Sequence, residues 1–372
     1  MNIKTFLDIL GTDFYTGVPD SQLKALCNYL IYTYGAVNAK HHIIAANEGN
    51  ATAVAAGYHL ATGRVPVVYM QNSGEGNVIN PVASLCNDHV YGIPMIFIVG
   101  WRGEPGTHDE PQHIYQGMIT DKLLEVMDIK YFVIKKSTLE SDICDIMRSF
   151  KPQLEAGKQV AFVVEKDALT FDVKFEYRND YLMKREEVIS HIISVSGDDP
   201  IISTTGKASR ELFEIRERNR QSHSNDFLTV GSMGHTSSIA LGIALNRPDK
   251  KVWCIDGDGA LLMHMGALPV IAELAPKNLV HIVINNEAHE SVGGQPNAMK
   301  GIQIADIAKA CGYKNSVAVE NFADLDNELQ IAKKKNELSL IEIKTAIGAR
   351  TNLGRPTISA VDNKSNFMNL LS

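Results

Sequence analysis

Two short polar stretches carry the side chains best suited to chemistry. Asp258 stands between Gly257 and Gly259, and Asn286 follows further along the chain. A carboxylate oxygen and an amide oxygen are hard ligands of the kind that Mg²⁺ prefers, with waters and ligand phosphates completing its shell. The flanking glycines let the backbone approach such a ligand closely. The pair therefore indicates half of a magnesium site, which a phosphorylated ligand would complete.

The apolar runs that precede these stretches explain how they can meet. Residues 252–255 and 279–284 are short and rich in Val and Ile, and the segment between them is long enough for a helix. This pattern predicts a βαβ unit with two parallel strands. Ligands of open α/β sheets bind beyond the carboxyl ends of the strands, so we expect Asp258 and Asn286 at that edge.

Other interpretations of the glycine-rich stretch are weaker. A dinucleotide fingerprint needs a third glycine where Leu262 stands. A calcium-binding loop counted from Asp256 needs a carboxylate where Ala267 stands. A plain Gly-Asp turn is the alternative left, although it does not account for Asn286.

The bulk properties are typical of a soluble globular chain. It has 372 residues and a formal net charge of −7 without a Lys/Arg block, which argues against nucleic acid as the main partner. Five cysteines are scattered without Cys-x-x-Cys spacing, as in reduced proteins of the cytoplasm. No window approaches the length of a membrane span. We expect a cytoplasmic protein without a membrane partner.

Apolar strand patterns alternate with helical patterns along most of the chain. Strands are predicted at residues 14–18, 65–70, 94–99, 161–165, 200–203, 252–255, 279–284 and 338–343. This alternation predicts an α/β protein with two doubly wound parallel sheets. We place one domain at 1–167, a charged linker at 168–187 and a second domain at 188–372.

The order Gly-Asp-Gly, helix, Asn-Asn resembles the motif of thiamine diphosphate-dependent enzymes. This resemblance implies that Asp258, Asn286 and the backbone carbonyl of Ala288 hold Mg²⁺ on the diphosphate. It also implies an N-terminal domain for the pyrimidine ring and a C-terminal domain for the diphosphate, without the central domain of larger relatives. Glu287 departs from the family pattern, in which a small residue is expected, and adds a negative charge to this loop.

A second stretch, residues 47–58, resembles the Glu-Gly-Asn-Ala helix of thiamine-dependent decarboxylases. By this resemblance Glu48 is the acid that activates the aminopyrimidine ring. The alternative is that Asn47 caps the helix and Glu48 complements its dipole. The same family resemblance implies further cofactor-binding positions, which are Thr205, Gly206, Gly231, Met233, Gly257, Gly259 and His289. Since Glu48 and Asp258 lie in different halves, it also implies at least a homodimer with sites at the subunit interface.

Five further stretches, 17–21, 71–74, 100–106, 109–113 and 291–296, resemble the phosphonopyruvate decarboxylases, with sulfopyruvate decarboxylases as relatives. The resemblance implies decarboxylation of 3-phosphonopyruvate to phosphonoacetaldehyde. The residues it assigns to proton transfer and substrate binding are Asp20, His113, Asn72, Ser73 and Arg102, with Lys207 and Arg210 as further cations for the phosphonate. As alternatives, Asp20 or Ser21 caps a helix beginning at residue 21, His113 is a surface imidazole, and Arg102 is a solvated charge.

Three other functions are alternatives. Sulfopyruvate decarboxylation and a carboligase reaction of the acetolactate type are separable by comparing substrates. A catalytically silent subunit that keeps the fold is disfavoured, because such a subunit has no physical need for Glu48, Asp258 and Asn286 together. Which of His108, His113, His235 and His289 handles protons stays open.

Overall fold

Residues 1–173 and 175–372 are described by a computed structural model, which divides into unit 1 (residues 1–176) and unit 2 (residues 177–372). The boundary lies within the predicted linker 168–187, in which Lys174 is outside the described residues. The side chain of Ser291, in the stretch 291–296, is also outside them. Among the helices described, none is long and apolar enough to cross a bilayer.

Unit 1 alternates strands and helices. Its strands are β1 (Tyr15–Gly17), β2 (Val37–Asn38), β3 (His42–Ile44), β4 (Val67–Gln71), β5 (Ile96–Gly100), β6 (Lys130–Ile134) and β7 (Val160–Val164). Its helices are α1 (Ile3–Leu10), α2 (Lys24–Tyr34), α3 (Glu48–Thr62), α4 (Glu75–Pro81), α5 (Pro111–Val126) and α6 (Glu140–Glu155). A 3₁₀ turn, Asn72–Gly74, joins β4 to α4.

Unit 2 follows the same alternation. Its strands are β8 (Ile201–Ser203), β9 (Asp226–Leu228), β10 (Val252–Gly257), β11 (Leu279–Asn285), β12 (Ala288–His289), β13 (Gln295–Pro296), β14 (Asn315–Val319) and β15 (Ser339–Lys344). Its helices are α7 (Arg185–Ser196), α8 (Lys207–Arg218), α9 (Thr236–Asn246), α10 (Asp258–Met263), α11 (Ala267–Leu274), α12 (Ile304–Cys311), α13 (Phe322–Lys334) and α14 (Ala360–Leu371).

The main sheets of the two units share one topology. In unit 1 the order is β2-β3-β1-β4-β5-β7-β6, with only the short edge pair β2–β3 antiparallel among the described strands. In unit 2 the order is β14-β15-β11-β10-β8-β9, and all neighbours are parallel. Counted along the chain, the parallel strands of both sheets follow the order 2-1-3-4-6-5. This confirms the predicted α/β class with two doubly wound sheets.

Each sheet is buried on both faces because its central strands are apolar throughout. In β10, Trp253 and Ile255 pack into one core, whereas Val252 and Cys254 pack into another on the opposite face. Such continuous runs are typical of parallel strands covered by helices on both sides. The prediction of a βαβ unit is confirmed, since β10 and β11 pair in parallel.

The sequence patterns missed the edge strands. β6 and β14 are partly exposed along most of their length and carry only short apolar runs after a polar start, four residues in β6 and three in β14. One alternative is wrong: α2 begins at Lys24 after Leu23 and has no side-chain cap, so neither Asp20 nor Ser21 caps it.

Candidate functional site

Asp20, Thr204 and Asp258 follow strands that flank the point where the strand order reverses in their sheet. In unit 1 the chain moves from β1 to β3 on one side and returns to β4 on the other. In unit 2 it moves from β8 to β9 and returns to β10. The crevice at such a point, beyond the carboxyl ends of the strands, is where open α/β sheets bind ligands.

Asp258 begins α10 at the end of β10 and is 4% exposed. Its Oδ2 accepts a hydrogen bond from Asn297 Nδ2 at 2.8 Å. Burial raises the pKa of Asp258 to about 6, opposed by hydrogen bonds from Asn297 and from the backbone N–H groups of Gly259, Glu287 and Ala288. The carboxylate therefore meets the loop after β11, as the sequence predicted for the two strand ends.

The loop after β11 holds Asn286 in a fixed orientation. Its Oδ1 accepts from the Ala288 N–H at 3.1 Å, and its Nδ2 donates to Glu290 Oε2 at 2.6 Å. Glu287 has a φ of +60°, a left-handed conformation that disfavours a side chain. Its Oε1 accepts from the Tyr181 hydroxyl at 2.8 Å, so this carboxylate is held by a neighbour rather than left unpaired.

Two other predicted cofactor positions of unit 2, His289 and Met233, lie beside Gly259. A Cβ added there would lie 3.3 Å from His289 Nδ1 and 3.5 Å from Met233 Cε. His289 is buried, its Nε2 has no hydrogen-bond partner among the described residues, and burial lowers its pKa to about 4. Thr204 Oγ1 is likewise buried and unpartnered within the described part of the chain.

Thr205 and Gly206 form the turn between β8 and α8. Gly206 is the N-cap of α8 with a φ of +92°, which favours glycine. Thr205 Oγ1 donates to the backbone oxygen of Val230, which ties this turn to the segment that contains Gly231. Gly231 is half-buried in the loop after β9.

Glu48 is the first residue of α3 and is 4% exposed. Asn47 caps the helix by accepting from the Asn50 N–H, so the capping alternative is correct for Asn47. Glu48 is nevertheless more than a dipole partner, because burial raises its pKa and Asn77 Nδ2 donates to its Oε2 at 2.6 Å. A buried acid with a raised pKa is typical of groups that transfer protons at functional sites.

Asp20 follows β1 and is fully buried. Gln71 Nε2 donates to its Oδ1 at 2.6 Å and the Gln22 N–H donates to its Oδ2 at 3.0 Å. Burial raises its pKa, although Gln71 and Arg102 oppose this. The carboxyl packs so closely on β5 that a Cβ at Gly100 would lie within 2.2 Å of Oδ2.

Arg102 lies after β5, next to Asp20. Its Nε and Nη2 donate to the two oxygens of Asp109 at 2.8 and 2.5 Å, and its Nη1 donates to Ser21 Oγ at 3.1 Å. Arg102 is therefore not the solvated charge of the alternative interpretation. The Asp109 pair occupies the Nε–Nη2 edge of the guanidinium, and Nη1 faces Ser21.

Asn72 and Ser73, predicted to contact substrate, have other partners in unit 1. Asn72 is buried, donates to the backbone oxygen of Arg102 and to Thr120 Oγ1, and accepts from the Arg102 N–H. It thereby holds the Arg102 loop in place. Ser73 is exposed, and its hydroxyl donates to Gln71 Oε1 at 2.7 Å.

The four candidate histidines differ in environment. His113 is half-buried in α5, and burial together with Arg102 lowers its pKa to about 4. His113 and His289 are therefore neutral at pH 7 and better suited to accept a proton than to donate one as imidazolium. His108 and His235 are exposed.

Sequence reasoning missed Asp109, Glu290 and Arg185 as site residues. Asp109 pairs with Arg102, and Glu290 pairs with both Asn286 and Arg185. Glu290 lies four residues after Asn286, which was a usable signal, but its partner Arg185 is 105 residues away. Only the folded chain brings that pair together.

Comparison with known proteins agrees with this geometry. Residues 3–124 match the family described as "Thiamine pyrophosphate enzyme, N-terminal TPP binding domain", and residues 204–343 match the corresponding C-terminal TPP binding domain. A phosphonopyruvate decarboxylase of Streptomyces viridochromogenes is 33% identical over 369 residues, covering 95% of this chain and 90% of that protein. One from Streptomyces hygroscopicus is 32% identical, covering 94% and 88%. A sulfopyruvate decarboxylase of Methanosarcina acetivorans is 31% identical, covering 80% and 79%.

Proposed function

The chain belongs to the family of thiamine diphosphate-dependent decarboxylases, and on that premise we propose that it converts 3-phosphonopyruvate to phosphonoacetaldehyde and CO₂ with Mg²⁺ as the metal. The observation that carries the substrate is the match, along nearly the whole chain, to proteins named phosphonopyruvate decarboxylase. Sulfopyruvate is the second candidate, because a sulfopyruvate decarboxylase also matches most of the chain.

The residues of unit 2 fit a magnesium-bound diphosphate. Asp258 and Asn286 offer one carboxylate and one amide oxygen, which suit Mg²⁺. The Thr204 hydroxyl, which has no hydrogen-bond partner in the described part of the chain, lies directly after β8. Gly259 leaves open the space that a side chain would fill. The proposed ligand set is Asp258, Asn286 and the carbonyl of Ala288.

Proton transfer is assigned to acids of unit 1. Thiamine diphosphate, when bound, supplies the electron sink for the loss of CO₂. Glu48 accepts from Asn77 at Oε2 and can hold a proton at Oε1, where it would meet the aminopyrimidine. Asp20 is also a buried acid with a raised pKa, so it can carry the proton that replaces CO₂ on the product.

Substrate binding is assigned to Arg102. A phosphonate dianion needs fixed N–H donors, and the Nη1 side of this guanidinium, next to Ser21, would offer them while Asp109 holds the Nε–Nη2 edge. Asn72 fixes the backbone of the same residue through both its amide nitrogen and its oxygen. The pocket would therefore bind the anion with a cation that is already oriented.

The decisive experiment compares phosphonopyruvate, sulfopyruvate and pyruvate under identical conditions. Release of CO₂ and of aldehyde is measured with and without thiamine diphosphate and Mg²⁺. We expect the highest kcat/KM for phosphonopyruvate and no turnover without the cofactor. A higher kcat/KM for sulfopyruvate would show that sulfopyruvate is the preferred substrate. Turnover by Glu48→Gln equal to that of wild type would show that the acid of Glu48 is not needed for the reaction.

We further propose a homodimer or larger assembly in which Glu48 of one chain and Asp258 of another serve the same cofactor. Co-expression of Glu48→Gln and Asp258→Asn chains tests this directly. Each variant alone should be inactive, whereas random pairing should restore about a quarter of the activity if each site draws on two chains. Absence of any recovery in verified mixed assemblies would place both residues of a site on one chain.

A further inference from the structure

A cluster of charged side chains lies directly behind Asn286. Glu290 accepts from Asn286 Nδ2 at 2.6 Å and pairs with Arg185 Nη1 at 2.6 Å and Lys207 Nζ at 3.0 Å. Arg185 also makes a two-point pair with Glu211, at 2.6 and 2.7 Å. The side chains of Arg185, Glu211 and Glu290 are at most 8% exposed. The cluster thus joins two cations and two carboxylates without excess charge.

Glu290 decides which way the amide of Asn286 faces. An ionised carboxylate only accepts hydrogen bonds, so the NH₂ end of the amide must face Glu290. Arg185 Nη1 at 2.6 Å and Lys207 Nζ at 3.0 Å favour the charged form of this carboxyl group. The oxygen end then faces the opposite way, where the Ala288 N–H donates to one of its lone pairs at 3.1 Å. A second lone pair is left for another partner.

Mg²⁺ binds the oxygen of an amide and not its nitrogen. The two orientations of an Asn side chain have nearly the same shape, so packing alone selects poorly between them. The charged carboxylate of Glu290, 2.6 Å from Nδ2, strongly favours the orientation in which the NH₂ group faces it. The hydrogen bond from Asn286 to Glu290 therefore presents the metal-binding atom.

We propose that Glu290, held by Arg185 and Lys207, is a positioning residue that fixes the amide oxygen of Asn286 for Mg²⁺. This inference rests on the proposed magnesium site and adds a requirement to it. Buried ion pairs by themselves are weak evidence for stability, so a cluster of this kind behind a ligand suggests a role in orientation. Partners of metal ligands typically contribute about 10–100-fold to metal affinity.

A reciprocal exchange tests the proposal. Asn286→Asp places two carboxylates face to face, and Glu290→Gln removes the acceptor-only group, so that the amide can turn over. In the double variant the new amide donates to the new carboxylate, and the net charge equals that of wild type. We expect the Kd for Mg²⁺ to rise about 10–100-fold in Glu290→Gln. The double variant should recover most of that loss, because a carboxylate at position 286 presents an oxygen to the metal in either orientation.

Mg²⁺ is titrated calorimetrically into protein with thiamine diphosphate at fixed concentration, and thermal unfolding without ligands shows that each variant folds. Asp226→Asn is the matched control, because it makes the same change at another buried pair, with Arg216. Its Mg²⁺ affinity should equal that of wild type.

Three results would overturn the positioning role: wild-type affinity in Glu290→Gln, no recovery in the double variant, or an equal loss in Asp226→Asn. Failure of the wild-type protein to bind Mg²⁺ with thiamine diphosphate would instead refute the proposed metal site. The two failures are therefore distinguishable.

Discussion

Replacement of Gly74 by Ala displaces Glu48 without altering its chemistry. Gly74 precedes α4 with a φ of −77°, which any residue can adopt. A Cβ there lies 2.5 Å from Cγ of Glu48 and 2.6 Å from its Cδ and Oε1. Since carbon atoms in contact prefer about 3.5–4.0 Å, the side chain must move by roughly 1 Å. The side chain has rotatable bonds, so this movement costs little folding energy but shifts the carboxylate.

We expect Gly74→Ala to lower kcat/KM about 100-fold, because a displacement of about 1 Å at a reacting group can cost that much. Initial rates of CO₂ release give kcat/KM, and thermal unfolding reports stability. Gly76→Ala is the control, since its Cβ would meet no atom within 4 Å. Ala there should keep activity and stabilise α4 by about 0.5–1 kcal/mol.

Wild-type kcat/KM in a folded Gly74→Ala protein would refute the reasoning. An equal loss of activity in Gly76→Ala would show that any change in α4 matters, rather than the position of Glu48. A loss of activity that follows unfolding in Gly74→Ala would show that the new methyl group cannot be accommodated at all. Only a selective loss in the folded protein supports the assignment.

Three further predictions follow from burial and charge. Burial raises the pKa of Asp258 from 3.8 to about 6. The protonated form therefore stabilises the ligand-free protein by about 3 kcal/mol below about pH 4, and this contribution is lost as the pH rises to 6. The free energies of unfolding in urea of wild type and Asp258→Asn should differ in their pH dependence, and parallel profiles would contradict this prediction. Glu75 is buried, both its oxygens lack partners among the described residues, and its pKa is raised to about 9. The stability that the proton on Glu75 contributes to wild type falls between about pH 4.5 and 9. The free energy of unfolding of Glu75→Met should therefore rise relative to that of wild type by about 1.4 kcal/mol per pH unit in this range. A constant difference between the two free energies from pH 6 to 8 would contradict this prediction. Arg102→Lys cannot pair with Asp109 at two points, so we expect kcat/KM for phosphonopyruvate to fall about 10–100-fold, whereas Arg148→Lys, at an exposed pair, should leave it unchanged.

Much of the fold and part of the site could be predicted because their signals are local. The apolar runs of β10 and β11 reveal two buried strands, and parallel pairing brings their carboxyl ends to one edge. The position of Asp258 relative to Asn286 follows from that pairing. The small residues after Asn47 likewise indicate a helix whose first residue is Glu48. Edge strands such as β14 were missed because a half-exposed strand carries only a short apolar run.

The sequence by itself determined the fold class, the family and the strand ends that carry Asp258 and Asn286, because these depend on periodicity and on short motifs. The tertiary structure alone decided which distant side chains hold the residues of the site in position. Glu290 is held by a cation 105 residues away, and the backbone of Arg102 is held by Asn72, 30 residues away. Burial, hydrogen bonding and pKa depend on neighbours in space, and no local pattern encodes those neighbours.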